Sequence, residues 1–232
     1  MEILATALGL IFSGDAELAR IVRLSLFVSC SATVLSALLA TPLGTLLAIT
    51  RCPGHRVLLV LGTAMMALPP VVVGLAVYLL LSRAGPLGSF GLLFTPTAMV
   101  IAQTILVFPI ILSLTHQAIA PLAREYKPLF AALDTSRGKQ VRTLIRDARF
   151  AVSIALLAGF GRALAEVGAV IIVGGNINGQ TRVMTTTIAL ETSRGNLTLA
   201  LALGLILVTI SIAVNAITHK ISRLGECYQV TR

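Results

Sequence analysis

Residues 121–176 read PLAREYKPLFAALDTSRGKQVRTLIRDARF and then, without interruption, AVSIALLAGFGRALAEVGAVIIVGGN. The first half is basic and the second is apolar and rich in small residues. At about 100° per residue, Lys139, Arg142, Arg146 and Arg149 fall within one quadrant of a helix, and Val141, Leu144, Ile145 and Ala148 gather opposite. That stretch is predicted as an amphipathic helix with a basic stripe. Pro128 suits a first helical turn, so Leu129 to Leu133 is expected as a separate short helix, ended by a turn at Thr135-Ser136-Arg137-Gly138. Two uses fit such a loop: a basic face resting on anionic lipid headgroups, or a docking surface for a soluble partner.

The apolar half decides the class. Of 232 residues 56% are hydrophobic and only 12% charged, where an ordinary globular domain carries roughly 25%. Apolar segments at about 21–49, 57–82, 92–119, 150–174 and 197–219 are each long enough to cross a hydrocarbon core of about 30 Å. The fold class is therefore all-α: a polytopic integral membrane protein with about five transmembrane helices. Residues 1–20 are expected as an interfacial helix, 21–220 as the membrane domain with its loop at 120–149, and 221–232 as a tail.

Lysine and arginine sort by side. With the N-terminus outside, Arg51, Arg56, Arg124, Lys127, Arg137, Lys139, Arg142, Arg146, Arg149, Lys220, Arg223 and Arg232 lie inside, against Arg20, Arg23, Arg83, Arg182 and Arg194 outside. The net charge of +9 thus reports topology and not a nucleic-acid partner. The loop is placed in the cytoplasm, and 83–95 and 175–196 on the far face.

Catalytic machinery is missing from the pattern. Gly138-Lys139 is followed by Gln140 and lacks the upstream glycine of a phosphate-cradling loop, so any ATP use belongs to a partner. Gly159-Phe160-Gly161 lacks a third glycine at Leu164 and a preceding strand. Cys30, Cys52 and Cys227 form no disulfide framework, and His55, His116 and His219 have no ligand-spaced companions, so no metal is expected.

Arg162 and Glu166 are an ionisable pair four residues apart within the fourth span, where an unpaired charge costs about 3 kcal/mol. A structural ion pair and a substrate contact both fit. Gly161, Ala165 and Ala169 form a small-residue ladder that would let another helix approach. Pro69 and Pro70 in the second span, and Pro109 in the third, each free a backbone carbonyl, and kinks there would suit a path that opens and closes. The outer segment NINGQTRVMTTTIALETSRGN offers Arg182, Thr185 and Thr186, donors suited to an oxyanion or to an external partner.

The five spans, the long loop before the penultimate one, and the run GRALAEVGAVIIVGGNI resemble the permease subunits of binding-protein-dependent ABC importers. LPPVVVGL at 68–75, FTPTAMVIAQTI at 94–105 and GGNINGQTRVMTTTIALET at 174–192 resemble the tungstate permeases of the molybdate/sulfate/tungstate branch. The resemblance covers about residues 13–220. It implies a type I, MetI-like importer architecture: a homodimer whose loops dock on two ATP-binding subunits, with an external binding protein delivering the oxyanion. ATP and magnesium would be held by the partner subunits, and this chain would be no enzyme. It implies a coupling segment made of Tyr126, Leu129, Ala131, Ala132, Leu133, Ser136, Gly138 and Lys139. The family loop usually reads Glu-Ala-Ala, three residues, then Gly. Here Phe130 precedes Ala131-Ala132, Ser136 stands in the glycine's place, and Gly138 is the nearest glycine. Molybdate or sulfate transport, a membrane-embedded enzyme and a membrane scaffold are the alternatives.

Overall fold

The computed structural model describes residues 2–12, 14–50 and 55–230, and these contain no strand. Ten helices follow in order: α1 (Glu2–Phe12), α2 (Ala16–Ile49), α3 (His55–Met66), α4 (Pro70–Leu81), α5 (Pro96–Ala132), α6 (Arg137–Asp147), α7 (Arg149–Leu164), α8 (Gly168–Gly174), α9 (Met184–Ser193) and α10 (Leu197–Val230). Arg51, Cys52 and Arg232 lie outside the described residues, as do the side chains of His55, Arg56 and Cys227.

Three helices, α2, α5 and α10, are long and apolar enough to cross a membrane, and α7 with α8, bent by 59°, makes a fourth. In place of the expected second span stand two helices of 12 residues each, α3 and α4. Local chemistry accounts for that division. Pro69 and Pro70 both lack an N–H, so α3 ends before them, and Pro69 and Pro70 serve as N-cap and first residue of α4.

The first span also starts earlier than residue 21. Asp15 caps α2 by accepting from the Leu18 N–H at 2.8 Å, so Ala16 to Arg20 belong to the spanning helix. α1 ends at Phe12 and packs on α10, with Ala7 fully buried.

α5 is the axis of the bundle. Of its membrane-crossing segment 61% is buried, against 33% for α2 and 17% for α10. Thr95 caps it, Pro96 occupies its first turn, and it runs unbroken through Pro109, Pro121 and Pro128. The separate short helix expected at 129–133 is therefore the end of α5, and the turn falls at 133–136. Only one proline interrupts any one turn of α5, so neighbouring hydrogen bonds hold the helix together.

Close backbone approach replaces hydrophobic driving force where helices meet in lipid. A Cβ on Gly74 of α4 would lie 2.7 Å from the Ala169 Cα of α8, and one on Gly44 of α2 would lie 2.8 Å from the Leu112 carbonyl oxygen of α5. Around the first contact sits the largest cluster of buried residues, with Val73, Val77, Ala98, Met99, Val170 and Val173.

Candidate functional site

Two regions hold the residues that the sequence singled out, and they lie at different places in the bundle. The first is the corner between α5 and α6. At a rise of about 1.5 Å per residue α5 is about 55 Å long, well beyond a core of about 30 Å, and its exposed charges Arg124, Glu125 and Lys127 lie in the excess.

The corner is braced from within. The Tyr126 hydroxyl donates to Asp147 Oδ2 at 2.8 Å, and its ring meets Phe130 edge-on at 5.7 Å. Phe130 and Leu144 are buried, which fastens α6 to the end of α5. Asp134 turns the chain at φ 43, a left-handed conformation that Asp tolerates. The Gln140 amide donates to the Thr135 carbonyl at 2.7 Å and closes the turn.

Outward, the corner presents Leu129 and Leu133, 53% and 67% exposed, beside exposed Ala131, Ala132 and Ser136. The two exposed leucines lie about one turn apart at the end of a helix longer than a hydrocarbon core, forming a small apolar patch. Inward, an open cavity of about 920 Å³ is bordered by Thr50, His116, Arg124, Lys127, Asp134 and Gln140. Gly138 and Lys139 are exposed in the first turn of α6, not in the turn before it. Lys139, Arg142 and Arg146 are exposed while Leu144 is buried, so the amphipathic reading agrees with the burial of α6, but the helix ends at Asp147 and Arg149 begins α7.

The second region is the break at 165–167. Arg162 and Glu166 pair as expected, but not on one helix: Arg162 is in the last turn of α7 and Glu166 in the break. For the same reason Gly161, Ala165 and Ala169 form no continuous ladder. Ala165 is exposed, and only Ala169 meets a partner backbone.

Side chains of α5, α7 and α9 hold this break. The buried Glu166 carboxylate accepts from Arg162 Nη1 on one oxygen and from the Ala169 N–H, at 3.2 Å, on the other. The chain's own carboxylate thus sits where the start of α8 favours negative charge. The Glu166 carbonyl accepts from Thr185 Oγ1 at 2.8 Å, and the Ala163 carbonyl accepts from Gln103 Nε2 at 3.0 Å.

The broken α7–α8 span touches α4. A Cβ on Gly168 would lie 2.9 Å from Val71 Cγ2 and 3.5 Å from the Val71 N, so the start of α4 after Pro69 and Pro70 faces the start of α8. Pro109 is buried within α5 and lies outside this junction.

The outer segment is not an open loop. It contains α9, and Thr185 and Thr186 are buried. Thr186 donates to Asn176 Oδ1 at 2.9 Å, while Asn176 sits at φ 51. Arg182 pairs with Glu17 at the start of α2 at 3.4 Å and is mostly buried. These hydroxyls are used in holding the fold.

A bundle with one broken span packed against α4, and an apolar corner at the end of a helix longer than a hydrocarbon core, matches known proteins along most of its length. The family model described as binding-protein-dependent transport system inner membrane component aligns with residues 40–224. The chain belongs to that family. The permease is 41% identical over 215 residues, 93% of its length and 94% of the relative's, to the tungstate uptake system permease protein TupB of Peptoclostridium acidaminophilum. It is 42% identical over 213 residues, 88% of its length and 91% of the relative's, to a probable anion ABC transporter permease protein of Haloferax volcanii. To the TupB of Campylobacter jejuni subsp. jejuni it is 39% identical over 158 residues, 68% and 66% of the two chains.

The permease is accordingly a multi-pass inner-membrane transport component, not an enzyme, and its family works with an ATP-binding subunit and a substrate-binding protein. Sequence reasoning passed over Gln103 and Asn176. A lone amide inside the apolar run TAMVIAQTILV was a usable signal, because a polar group in a span needs a partner in protein.

Proposed function

We propose that this permease imports tungstate as a homodimer. Its N-terminus faces outside and its C-terminus the cytoplasm, and the α5–α6 corner docks on an ATP-binding subunit that holds ATP and magnesium. The observation that carries the reading is the contact between the broken α7–α8 span at Gly168 and the start of α4 at Val71. Discontinuous helices are how a transport path places irregular backbone at membrane depth without exposing it to lipid. Relatives named for tungstate uptake point to the substrate.

Coupling follows from the corner's geometry. Leu129, Ala132 and Leu133 form an apolar projection, and the Tyr126–Asp147 bond makes α5 and α6 move as one piece. A push on the corner then travels along α5 to Gln103, which grips the broken span at Ala163. An external binding protein delivers the oxyanion, and the path itself binds it weakly enough to let go.

Proteoliposomes holding the permease with its ATP-binding subunit and binding protein test this directly. Tungstate should stimulate ATP hydrolysis, with molybdate and sulfate weaker; no response to any of the three in an assembled complex would discard the oxyanion reading. Ala132→Glu should abolish tungstate stimulation while membrane insertion persists. Unchanged transport in that variant would discard the corner as the coupling surface.

A further inference from the structure

An apolar groove of about 670 Å³ lies beside the corner. Its long wall is a leucine stripe of α2, Leu39, Leu43 and Leu46, completed by Phe108 of α5, and the first turn of α6 closes one end with Arg137 and Val141. Leu39, Leu43 and Leu46 are 60%, 41% and 37% exposed, on the spanning helix that is only 33% buried. The lining has a single ionisable group, the Arg137 guanidinium.

Arg137 has no carboxylate partner among the described residues. Neither it nor Lys139, Arg142 or Arg146 takes part in an ion pair among the described residues, although all four are exposed. Ser136 supplies no side-chain cap to α6, so the partial positive charge of the helix start adds to that of Arg137. The result is an apolar channel along a membrane-spanning helix with concentrated positive charge at one end only.

We infer that this groove is a binding site for one anionic phospholipid, with an acyl chain against Leu39, Leu43 and Phe108 and the phosphate at Arg137. The occupant must reside in the membrane, because the leucine wall belongs to a spanning helix. It must carry a negative group at the end where α6 begins, because the Arg137 guanidinium and the start of α6 concentrate positive charge there, at the headgroup level past the apolar wall. Basic pockets at the ends of spanning helices meet both demands with an anionic headgroup. A second copy of the chain fits less well: a two-fold contact through this groove would bring two unpaired Arg137 side chains to one interface. The site takes Arg137 and Gly138, so it shares Gly138 with the coupling segment and leaves Leu129, Ala132 and Leu133 for docking.

Native mass spectrometry of the permease purified with its ATP-binding subunit, titrated with phosphatidylglycerol and with phosphatidylcholine of the same acyl chains, tests the site. Phosphatidylglycerol should be retained preferentially at one copy per chain. Arg137→Gln, an exposed change that spares the fold, should weaken that retention about fivefold, the effect of one basic residue at a membrane surface. Leu43→Trp should lower retention of both lipids by filling the groove, and Arg146→Gln, outside it, should change neither. Equal retention of the two lipids, or equal effects of Arg137→Gln and Arg146→Gln, would overturn the site in favour of a diffuse basic surface. Displacement of the lipid by inorganic phosphate, or chain-to-chain cross-linking through cysteine in Leu39→Cys, would overturn it in favour of a soluble anion or a second copy.

Discussion

α5 and the α7–α8 span reverse the usual relation between proline and helix breaks. α5 holds Pro109, Pro121 and Pro128 and stays one helix, whereas 149–174 holds no proline and bends by 59° at 165–167. The difference lies in who satisfies the backbone. Inside α5 each isolated proline removes one hydrogen bond from a helix that is otherwise complete and largely buried. At 165–167 several bonds are missing together, and side chains from elsewhere replace them: Gln103 from α5, Thr185 from α9, and the Glu166 carboxylate itself. A break of this kind is built by tertiary structure and is specific to the fold.

If so, removing the replacements should hurt in proportion to what each leaves unpaired. Glu166→Ala strands the partly exposed Arg162 and uncaps Ala169 at once. Loss of one member of a buried pair costs about 3–5 kcal/mol, and because Arg162 is 35% exposed the lower figure applies. Thermal unfolding in detergent should show the largest drop of the series, with uptake lost. Stability equal to the parent would mean that the pair does not hold the break.

Thr185→Val comes next. It deletes the donor to the Glu166 carbonyl, which has no other among the described residues, at a cost of about 1–3 kcal/mol. Gln103→Leu should cost less, about 0.6 kcal/mol, the mean for hydrogen bonds between spanning helices. Its Oε1 is buried without a partner, so the leucine also removes an unsatisfied acceptor, and the Ala163 carbonyl keeps the Glu166 N–H at 3.2 Å. Faster hydrogen exchange at 165–169 should accompany both variants, strongest in Thr185→Val. The reverse order would place the main support of the break on α5.

These magnitudes also explain what was readable beforehand. The long apolar runs of α2, α5 and α10, the basic face from Lys139 to Arg146 and the Arg162–Glu166 pairing are local properties, written at fixed spacings, and the structure contains each, although Arg149 falls on α7 and the ion pair does not lie on one helix. The division at Pro69-Pro70 was half visible: the prolines were seen, but two helices in one span were not expected. The break at 165–167 was invisible because its causes lie some 60 residues upstream at Gln103 and 19 downstream at Thr185. Equally hidden was the burial of Thr185 and Thr186. A polar run near a span end looks like a surface loop until α9 is seen folding back against Glu166.

The smallest expected effect is Pro109→Ala. Alanine restores an N–H that can reach the Ile105 carbonyl, worth about 0.5–1.5 kcal/mol net. Against this, the buried proline ring leaves a small void between α5 and its neighbours, a loss of similar size for two or three methylenes. The two should nearly cancel, so the melting temperature should move little and α5, already continuous, should remain so. Uptake then becomes the informative readout. Unchanged tungstate uptake would show that α5 acts as a rigid rod between the corner and Gln103, with the hinge confined to 165–167. A marked loss of uptake at unchanged stability would move part of the hinge onto α5 and erase the contrast between the two helices.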